Sequence, residues 1–378
     1  MGRAISYSLI AIFLVSSVCV AEESGFMQVD VFKAGELGYK EFRIPSLVVT
    51  KSGTILAFTE AGWTSADAGD RDIKLRRSVD GGRTWTKEIQ LILDRGKSRC
   101  GSPATIVDAN TGRIHLITAV DSKEALHGYS DDDGVTWSEF EKITYVFEEF
   151  KPRYDWSGFD TGPAQGIELS RGKFKGRFIQ PMWLTKNNKG YRSGVIYSDD
   201  RCATWKSGGL VREAELNTNE CSFYEAADGT LWMNIRWGDS RGGEKQKRCR
   251  LIATSSDGGA SWSAGRFDPN LIDPQCLAST LRYLWPKEGR GRVLFANPAD
   301  EGSRVNMTVR MSYDDGRSWP VAKQIYAGPS AYSCMARMPN GDIGLLYECG
   351  ERYKYEKMTF AWFTPGWLTE GKDTITRR

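Results

Sequence analysis

Three arginines stand out as residues that could bind an anionic ligand together. Arg43, Arg236 and Arg304 each lie at or near the end of a predicted β-strand, far apart along the chain. A guanidinium presents a planar fork of N–H donors that binds a carboxylate through two hydrogen bonds. If the fold brings the three strand ends together, these residues would form a carboxylate site. The alternative for any one of them is a solvated or ion-paired surface residue.

Histidine-dependent chemistry is nearly excluded by the composition. The 378 residues include only two histidines, His115 and His127, which leaves too few parts for a His-based metal site or for Ser-His or Cys-His catalysis. We therefore predict no metal and no organic cofactor. The formal net charge of +3 predicts no polyanionic partner such as nucleic acid.

The elements that must position the arginines follow one recurring pattern, Ser-x-Asp-x-Gly-x-Thr/Ser-Trp. Its five copies begin at Ser78, Ser130, Ser198, Ser255 and Ser312, and the third has Cys202 in place of Gly. The Asp can accept backbone N–H groups across a tight turn, and the Gly supplies a positive φ without steric cost. A β-rich stretch precedes each copy, so each predicts a strand, a hairpin turn and a further strand. A supersecondary unit repeated in this way is typical of propellers and solenoids.

We predict an all-β fold, a six-bladed β-propeller of four-stranded antiparallel blades, formed by residues 22–378 as a single domain. The segment 360–363 near the C-terminus has the pattern of one more strand. If it joins the early strands in one sheet, the ring closes without a free edge. The repeat turns themselves are expected to be structural and to lie outside the active site.

Residues 1–21 have the features of a secretory signal peptide, with Arg3, a mostly apolar stretch and small residues before Glu22. This predicts a secreted or periplasmic protein that is not inserted in a membrane after the signal is removed. A lipid anchor at Cys19 is less favoured, because Val18 stands where lipidation signals have a small residue. Seven cysteines remain in the mature chain, and we expect mainly buried free thiols, with room for one or two disulfides.

Phe42-Arg43-Ile44-Pro45, taken with the five Asp-box repeats, resembles the sialidase (neuraminidase) family of exo-sialidases. The resemblance runs from about residue 38 to residue 353. It implies a six-bladed propeller with its active site on the axis and a cofactor-independent exo-α-sialidase activity. The implied partners are sialylated glycoproteins and glycolipids, and we expect a monomer.

The resemblance also assigns roles to individual residues. The implied acid/base is Asp67, with Asp70 and Asp72 as rivals, the implied nucleophile is Tyr332, and Glu220 would activate it. The substrate-binding residues would be Arg43, Arg236 and Arg304 on the carboxylate, Glu348 behind the first arginine, and Gln165 with Phe159–Asp160 as further sugar contacts.

These roles make chemical sense for a sugar that carries a carboxylate on its anomeric carbon. A carboxylate nucleophile would approach a like charge, whereas a neutral tyrosine avoids that repulsion, and sialidases are a known exception to the two-carboxylate arrangement. A tyrosine with an ordinary pKa of about 10 needs a base such as Glu220. The three arginines would also favour its phenolate. Two successive displacements, the first at Tyr332, would retain the anomeric configuration.

One departure from the family pattern bears on substrate choice. Many members have an arginine just after the strand that ends here at Glu60, but this chain has Ala61-Gly62-Trp63. Because that arginine lies beside the sugar, the alternatives include action on another nonulosonic acid or transfer of the sugar to an acceptor. A non-catalytic sialic-acid-binding lectin is the alternative from another functional class.

Overall fold

The computed structural model describes residues 25–187, 190–212, 217–238, 248–286 and 291–373, and the segment interpreted as a signal peptide lies outside these residues. Within them the fold is all-β, as predicted. The helices are single turns, namely α1 (Tyr145–Glu148), α2 (Pro365–Leu368) and two 3-10 turns (Glu36–Gly38 and Gly172–Phe174). None of the helices in the described part is long and apolar enough to cross a membrane.

The strands form five antiparallel sheets that follow one another along the chain. Two four-stranded sheets come first, β2 (Glu41–Val49), β3 (Ile55–Gly62), β4 (Arg71–Ser78) and β5 (Gln90–Leu93), then β6 (Cys100–Val107), β7 (Ile114–Val120), β8 (Glu124–Ser130) and β9 (Glu141–Lys142). The third sheet contains β10 (Gly158–Asp160), β11 (Ile167–Glu168), β12 (Phe178–Lys186), β13 (Gly190–Ser198) and β14 (Lys206–Leu210). The fourth contains β15 (Thr218–Glu225), β16 (Leu231–Trp237), β17 (Cys249–Ser255) and β18 (Arg266–Ile272).

The fifth sheet has seven strands and joins the two ends of the chain. It contains β19 (Ser279–Leu284), β20 (Arg292–Pro298), β21 (Val305–Ser312), β22 (Val321–Arg337), β23 (Ile343–Cys349), β24 (Lys357–Phe363) and β1 (Phe26–Lys33). The strand predicted at 360–363 is β24, and it pairs antiparallel with the N-terminal β1. This pairing covers edges that would otherwise be open to association with another chain.

The sheets stand around a common axis and contact one another through their first strands, which is the propeller arrangement. On one side of the axis, β2 meets β6 through a 2.8 Å hydrogen bond between the Ser46 and Thr105 hydroxyls. Elsewhere, the Thr280 hydroxyl of β19 donates to the Ser222 hydroxyl of β15 at 3.2 Å. Apolar residues fill the space between neighbouring sheets, so the axis is lined by polar inner strands and the core lies around it.

The repeat turns have the hydrogen bonds that their sequence predicts. Asp132 accepts from the Ser130 hydroxyl at 2.9 Å and from both the backbone N–H and the hydroxyl of Thr136, at 2.9 and 2.6 Å. Gly134 has a φ of 77°, which explains the preference for glycine. In the third copy Cys202 adopts a φ of 66°. Its backbone N–H donates to the Ser198 hydroxyl at 2.8 Å, so the turn forms without the glycine.

The cysteines of the described residues are thiols and not disulfides. Six of the cysteines in the described residues are free and buried, namely Cys100, Cys202, Cys221, Cys276, Cys334 and Cys349. The expected buried thiols are therefore present, and the described residues contain no disulfide.

Candidate active site

Arg43 is aimed by an irregularity at the start of β2. The pairing of β2 with β3 shifts between Arg43 and Ser46, and Ile44 has a φ of 59°. A β-branched residue in this left-handed region is strained and needs support from its surroundings. Glu348 supplies that support by accepting the Ile44 backbone N–H at 2.8 Å. The Phe-Arg-Ile-Pro motif therefore forms a bulge that presents Arg43 at the end of the strand.

The predicted nucleophile and its base are in direct contact. The Tyr332 hydroxyl, on β22, donates a hydrogen bond to Glu220 Oε1, on β15. Arg236 Nη1, on β16, donates to Glu220 Oε2 at 2.7 Å and to the Tyr332 hydroxyl oxygen at 3.0 Å. Residues from three strands thus form one closed network in which the phenol faces both a base and a cation.

The proton in this network resides on the tyrosine. Burial, followed by the negative charge of Glu220, raises the pKa of Tyr332 well above its ordinary value, although Arg236 and Arg304 oppose the shift. Burial alone would raise the pKa of Glu220, but Arg236 and the Tyr332 hydrogen bond outweigh it and lower that pKa. The arginines lower the pKa of Tyr332, as expected, but burial and Glu220 outweigh them. The candidate nucleophile Tyr332 is therefore a neutral phenol, bonded to a carboxylate that could accept its proton.

The three predicted arginines meet around Tyr332. The guanidinium carbons of Arg43 and Arg304 lie 5.9 and 5.4 Å from the centre of the Tyr332 ring, and Arg236 bonds to its hydroxyl. Glu348, fully buried, accepts the Tyr332 backbone N–H at 2.9 Å and lies 3.7 Å from Arg43 Nε. It therefore links β2 to β22 behind the first arginine, in the supporting position that the resemblance implies.

Tyr355 belongs to this site although the sequence did not single it out. Its hydroxyl accepts from Arg43 Nη2 at 3.1 Å and from Arg304 Nη1 at 3.0 Å, and the Arg43 guanidinium stacks on its ring at 4.0 Å. The other nitrogen of Arg304, Nη2, donates to the Gln275 carbonyl at 2.8 Å. Tyr355 lies in the short connection between β23 and β24, where a single aromatic residue carries no recognisable signal.

Among the three candidate acids, Asp67 is the one that reaches an arginine. Its Oδ1 accepts from Arg43 Nη1, and its side chain is 87% exposed. Partial desolvation would raise the pKa of Asp67, but Arg43 outweighs this effect and lowers it. Asp72 instead is buried and accepts from the Tyr39 hydroxyl. The loop between β3 and β4 therefore carries Asp67 over the arginines and turns Asp72 away from them.

Two further sequence candidates do not join the network. Gln165 lines a cavity of about 220 Å³ whose walls include Ser222 and Ser333. Ser333 directly follows Tyr332 on β22, so this cavity adjoins the strand that carries the candidate nucleophile. Phe159 is fully buried and stacks on Phe147 with ring centres 3.8 Å apart, so its interpretation as a sugar contact is wrong.

The place of the expected arginine after Glu60 is occupied differently. Gly62 ends β3, and the exposed Trp63 packs against Tyr39 with ring centres 4.2 Å apart and planes tilted by 40°. Glu60 itself is buried and accepts from Arg99 Nη2 at 2.8 Å, and Arg99 also donates to Asp160 at 3.1 Å. Both carboxylates are therefore neutralised by a cation that sequence reasoning did not identify, because Arg99 precedes a strand of another sheet.

The described residues include no cluster of three or more His, Cys, Asp or Glu side chains that could hold a metal ion. The titratable groups of the site are instead the arginines, carboxylates and phenols named above. Their arrangement suits binding of a carboxylate next to a phenol nucleophile that has its own base.

Comparisons with known proteins agree with this geometry. A model of the BNR repeat-like domain family matches residues 53–345. A sialidase of Micromonospora viridifaciens is 31% identical over 366 residues, covering 89% of this chain and 54% of the relative. A sialidase of Bacteroides fragilis is 29% identical over 367 residues, covering 87% of this chain and 64% of the relative. The chain thus spans between half and two thirds of the length of these two relatives.

Solved structures show the same fold. The Hadza microbial sialidase Hz136 superposes with a TM-score of 0.76 at 27% identity, over 90% of this chain and 69% of that one. The intramolecular trans-sialidase of Ruminococcus gnavus superposes with a TM-score of 0.74 at 18% identity, over 90% of this chain and 98% of that one, which speaks for the fold alone. The family model covers more than half of the chain, and the sialidases named above are homologues of this chain. The chain therefore belongs to the BNR repeat-like family, together with the exo-α-sialidases that its Arg-Tyr-Glu site resembles.

Proposed function

We propose that this protein is an exo-α-sialidase that releases terminal sialic acid from glycoconjugates with retention of configuration, using Tyr332 as the nucleophile. The observation that carries the proposal is the Tyr332 hydroxyl, which contacts both Glu220 and Arg236. A phenol bonded to a carboxylate base and surrounded by three arginines has what attack on a carboxylate-bearing anomeric carbon requires.

The proposed reaction starts when the substrate carboxylate binds Arg43, Arg236 and Arg304. Its arrival competes with Asp67 for Arg43, because the two carboxylates need the same Nη1 donor. Once released, Asp67 can face the glycosidic oxygen. Loss of the arginine partner would raise its pKa, which suits a group that must donate a proton.

In the first displacement the Tyr332 oxygen bonds to the anomeric carbon and its proton passes to Glu220. The glycosidic carbon–oxygen bond breaks, and Asp67 protonates the departing oxygen. In the second displacement Asp67 takes a proton from water, the water oxygen bonds to the same carbon, and Tyr332 leaves and regains its proton from Glu220. Arg236, which donates to the phenol oxygen at 3.0 Å, stabilises the charge that develops there.

Finer features of the fold and the cellular context belong to the same proposal. The long strand β22, residues Val321–Arg337, pairs with β21 through its first part and with β23 through its last part. Dividing the seven-stranded sheet within β22 yields two four-stranded units, for a total of six blades. We further propose that residues 1–21 are removed on export, which N-terminal sequencing of the exported protein would test.

The decisive experiment measures hydrolysis of a fluorogenic aryl sialoside by the wild type and by Tyr332→Phe. Tyr326→Phe is the matched control, because Tyr326 lies on the same strand and its hydroxyl bonds only to the Gly350 carbonyl among described groups. We expect activity to be lost in Tyr332→Phe and kept in the control. Full activity in Tyr332→Phe would refute the nucleophile, and a folded wild type that binds sialosides without cleaving them would identify a lectin. Proton NMR of the first-formed sugar anomer tests retention.

A second candidate is action on another nonulosonic acid, or transfer of the sugar to an acceptor. Gly62 favours it, because a positive charge expected beside the sugar is absent from that position. The R. gnavus structure, an intramolecular trans-sialidase, has the same fold. Mass spectrometry of products from a panel of substrates separates the cases, since a hydrolase releases the free acid and a transferase yields an anhydro sugar or a new glycoside.

A further inference from the structure

Gly62 has no side chain, and the guanidinium of Arg71 fills the space beside it. Gly62 on β3 pairs directly with Arg71 on β4. A Cβ at position 62 would lie 2.9 Å from Arg71 Nη1 and 2.9 Å from the Thr64 carbonyl oxygen, closer than side-chain atoms approach one another in proteins. Any larger residue at position 62 would therefore displace the Arg71 guanidinium.

Arg71 cannot contact a substrate in this arrangement. Its side chain is only 1% exposed, and its Nη2 donates to the buried carboxylate of Glu41 at 2.6 Å. Its Nε lies 3.7 Å from Glu60. Two carboxylates from β2 and β3 thus hold the guanidinium firmly, and a buried arginine with such partners is costly to move.

The same guanidinium holds the loop that carries the proposed acid. Arg71 Nη2 also donates to the backbone carbonyl of Ala66 at 3.1 Å, and Ala66 immediately precedes Asp67. The Ala66 carbonyl accepts the Gly69 backbone N–H at 2.9 Å as well. The Asp67 side chain itself is 87% exposed, so packing does not fix it. The position of Asp67 then depends on the backbone at Ala66.

We propose that Arg71 is a positioning residue for the general acid, and that Gly62 is required because the Arg71 guanidinium occupies the space beside it. Where the family pattern has an arginine after Glu60, this chain has a buried arginine on the neighbouring strand. It acts through the Ala66 carbonyl and not on the sugar. This inference rests on the proposed function, because it assumes that Asp67 protonates the leaving group.

The test compares two leaving groups. An aryl sialoside departs as a stabilised phenolate and needs little protonation, whereas sialyllactose departs as a sugar alcohol and depends on the acid. General acid catalysis contributes about 10²- to 10⁴-fold. Because the acid is displaced and not removed, we expect Arg71→Lys to lower kcat/KM for sialyllactose by about 10- to 100-fold, up to the lower limit of that contribution. We expect kcat/KM for the aryl sialoside to fall by less than about threefold. The matched control is Arg282→Lys, a buried ion-paired arginine of β19 for which both substrates should respond alike.

Gly62→Ala tests the same idea with the arginine retained, because the added methyl group would lie 2.9 Å from the Arg71 guanidinium, and equally close to the Thr64 carbonyl. It should show the same selective loss on sialyllactose. If Arg71→Lys yields no folded protein, the same two substrates are compared in Gly62→Ala and in Glu41→Gln, which weakens the ion pair that holds Arg71. A loss of equal size on both substrates, or no loss on either, would overturn the positioning role. If the wild type cleaves neither substrate, the proposed function itself fails.

Discussion

Replacing Glu220 by Gln would remove the base from the Tyr332 hydroxyl while nearly preserving shape. The two Glu220 oxygens accept from Tyr332 and from Arg236. A glutamine has one acceptor oxygen and one NH₂ group, so one of these two donors must lose its acceptor. The substitution therefore removes both the negative charge and one charge-assisted hydrogen bond.

The expected loss of activity follows from these contacts. A positioned general base contributes about 10²- to 10⁴-fold, and each tenfold change in rate corresponds to about 1.4 kcal/mol of barrier. We expect kcat/KM for an aryl sialoside to fall about 10³-fold in Glu220→Gln, near 4 kcal/mol. An aryl substrate isolates the base, because its departure depends little on Asp67.

The pH dependence provides a second, independent readout. Glu220 raises the pKa of Tyr332 and the nearby arginines lower it. Without Glu220 the pKa of the phenol should therefore be lower than in the wild type, and the phenolate fraction should increase with pH. The residual activity of Glu220→Gln should thus increase with pH through the alkaline range, whereas the wild type should show no such dependence.

The matched control is Glu225→Gln, which places the same substitution at the other end of β15. Glu225 is also buried and accepts from the Ser170 backbone and hydroxyl at 2.8 and 2.9 Å. We expect it to lower thermal stability with little effect on kcat/KM. The reasoning is refuted if Glu220→Gln loses less than about tenfold, or no more than the control after correction for the folded fraction.

Three further predictions concern binding, folding and acid stability. Tyr355→Phe should raise KM for a sialoside about tenfold with kcat nearly unchanged, because the hydroxyl that bridges two of the three arginines is lost; a fall in kcat alone would contradict this. Asp132→Ala should lower the free energy of unfolding by about 1 kcal/mol, with unchanged kcat per folded molecule, and unfolding in urea measures it. Burial lowers the pKa of His115 to about 3 and of His127 to about 4. Both stay neutral in the folded chain but bind protons when unfolded, so stability should fall with pH below about 6.5. Melting temperatures between pH 7 and 5 should vary less in a His115→Gln/His127→Gln double variant, and equal slopes would refute the reasoning.

The repeat pattern was sufficient to predict most of the fold. A Ser-x-Asp-x-Gly-x-Thr turn forms its hydrogen bonds within eight residues, so its structure depends on local sequence, and the strands on either side follow from it. The pairing of β24 with β1 was also predictable, because the C-terminal apolar strand needs a partner to cover its edge. The family relationship and the all-β propeller were therefore available before any coordinates.

The site was predictable where a motif marked it. Arg43 lies within a recognisable tetrapeptide, and Tyr332, Glu220 and the other two arginines follow in family order. Tyr355 and Arg99 carried no such signal, because each acquires its role from partners on strands far away in sequence. Phe159, on the short strand β10, and Gln165, in the loop that follows it, come from a segment whose composition could not indicate which side chains face the axis.

Local sequence thus determined the turns and the strands, and it pointed to the candidate reactive groups. Only the tertiary structure decided their protonation and their support. The phenol proton stays on Tyr332 because burial and Glu220 outweigh the arginines, and a balance of opposing electrostatic effects depends on distances that no motif encodes. In the same way, the sequence around Gly62 showed only that the arginine expected after Glu60 is missing. In the fold Gly62 leaves the space that lets Arg71, from the neighbouring strand, hold the Asp67 loop.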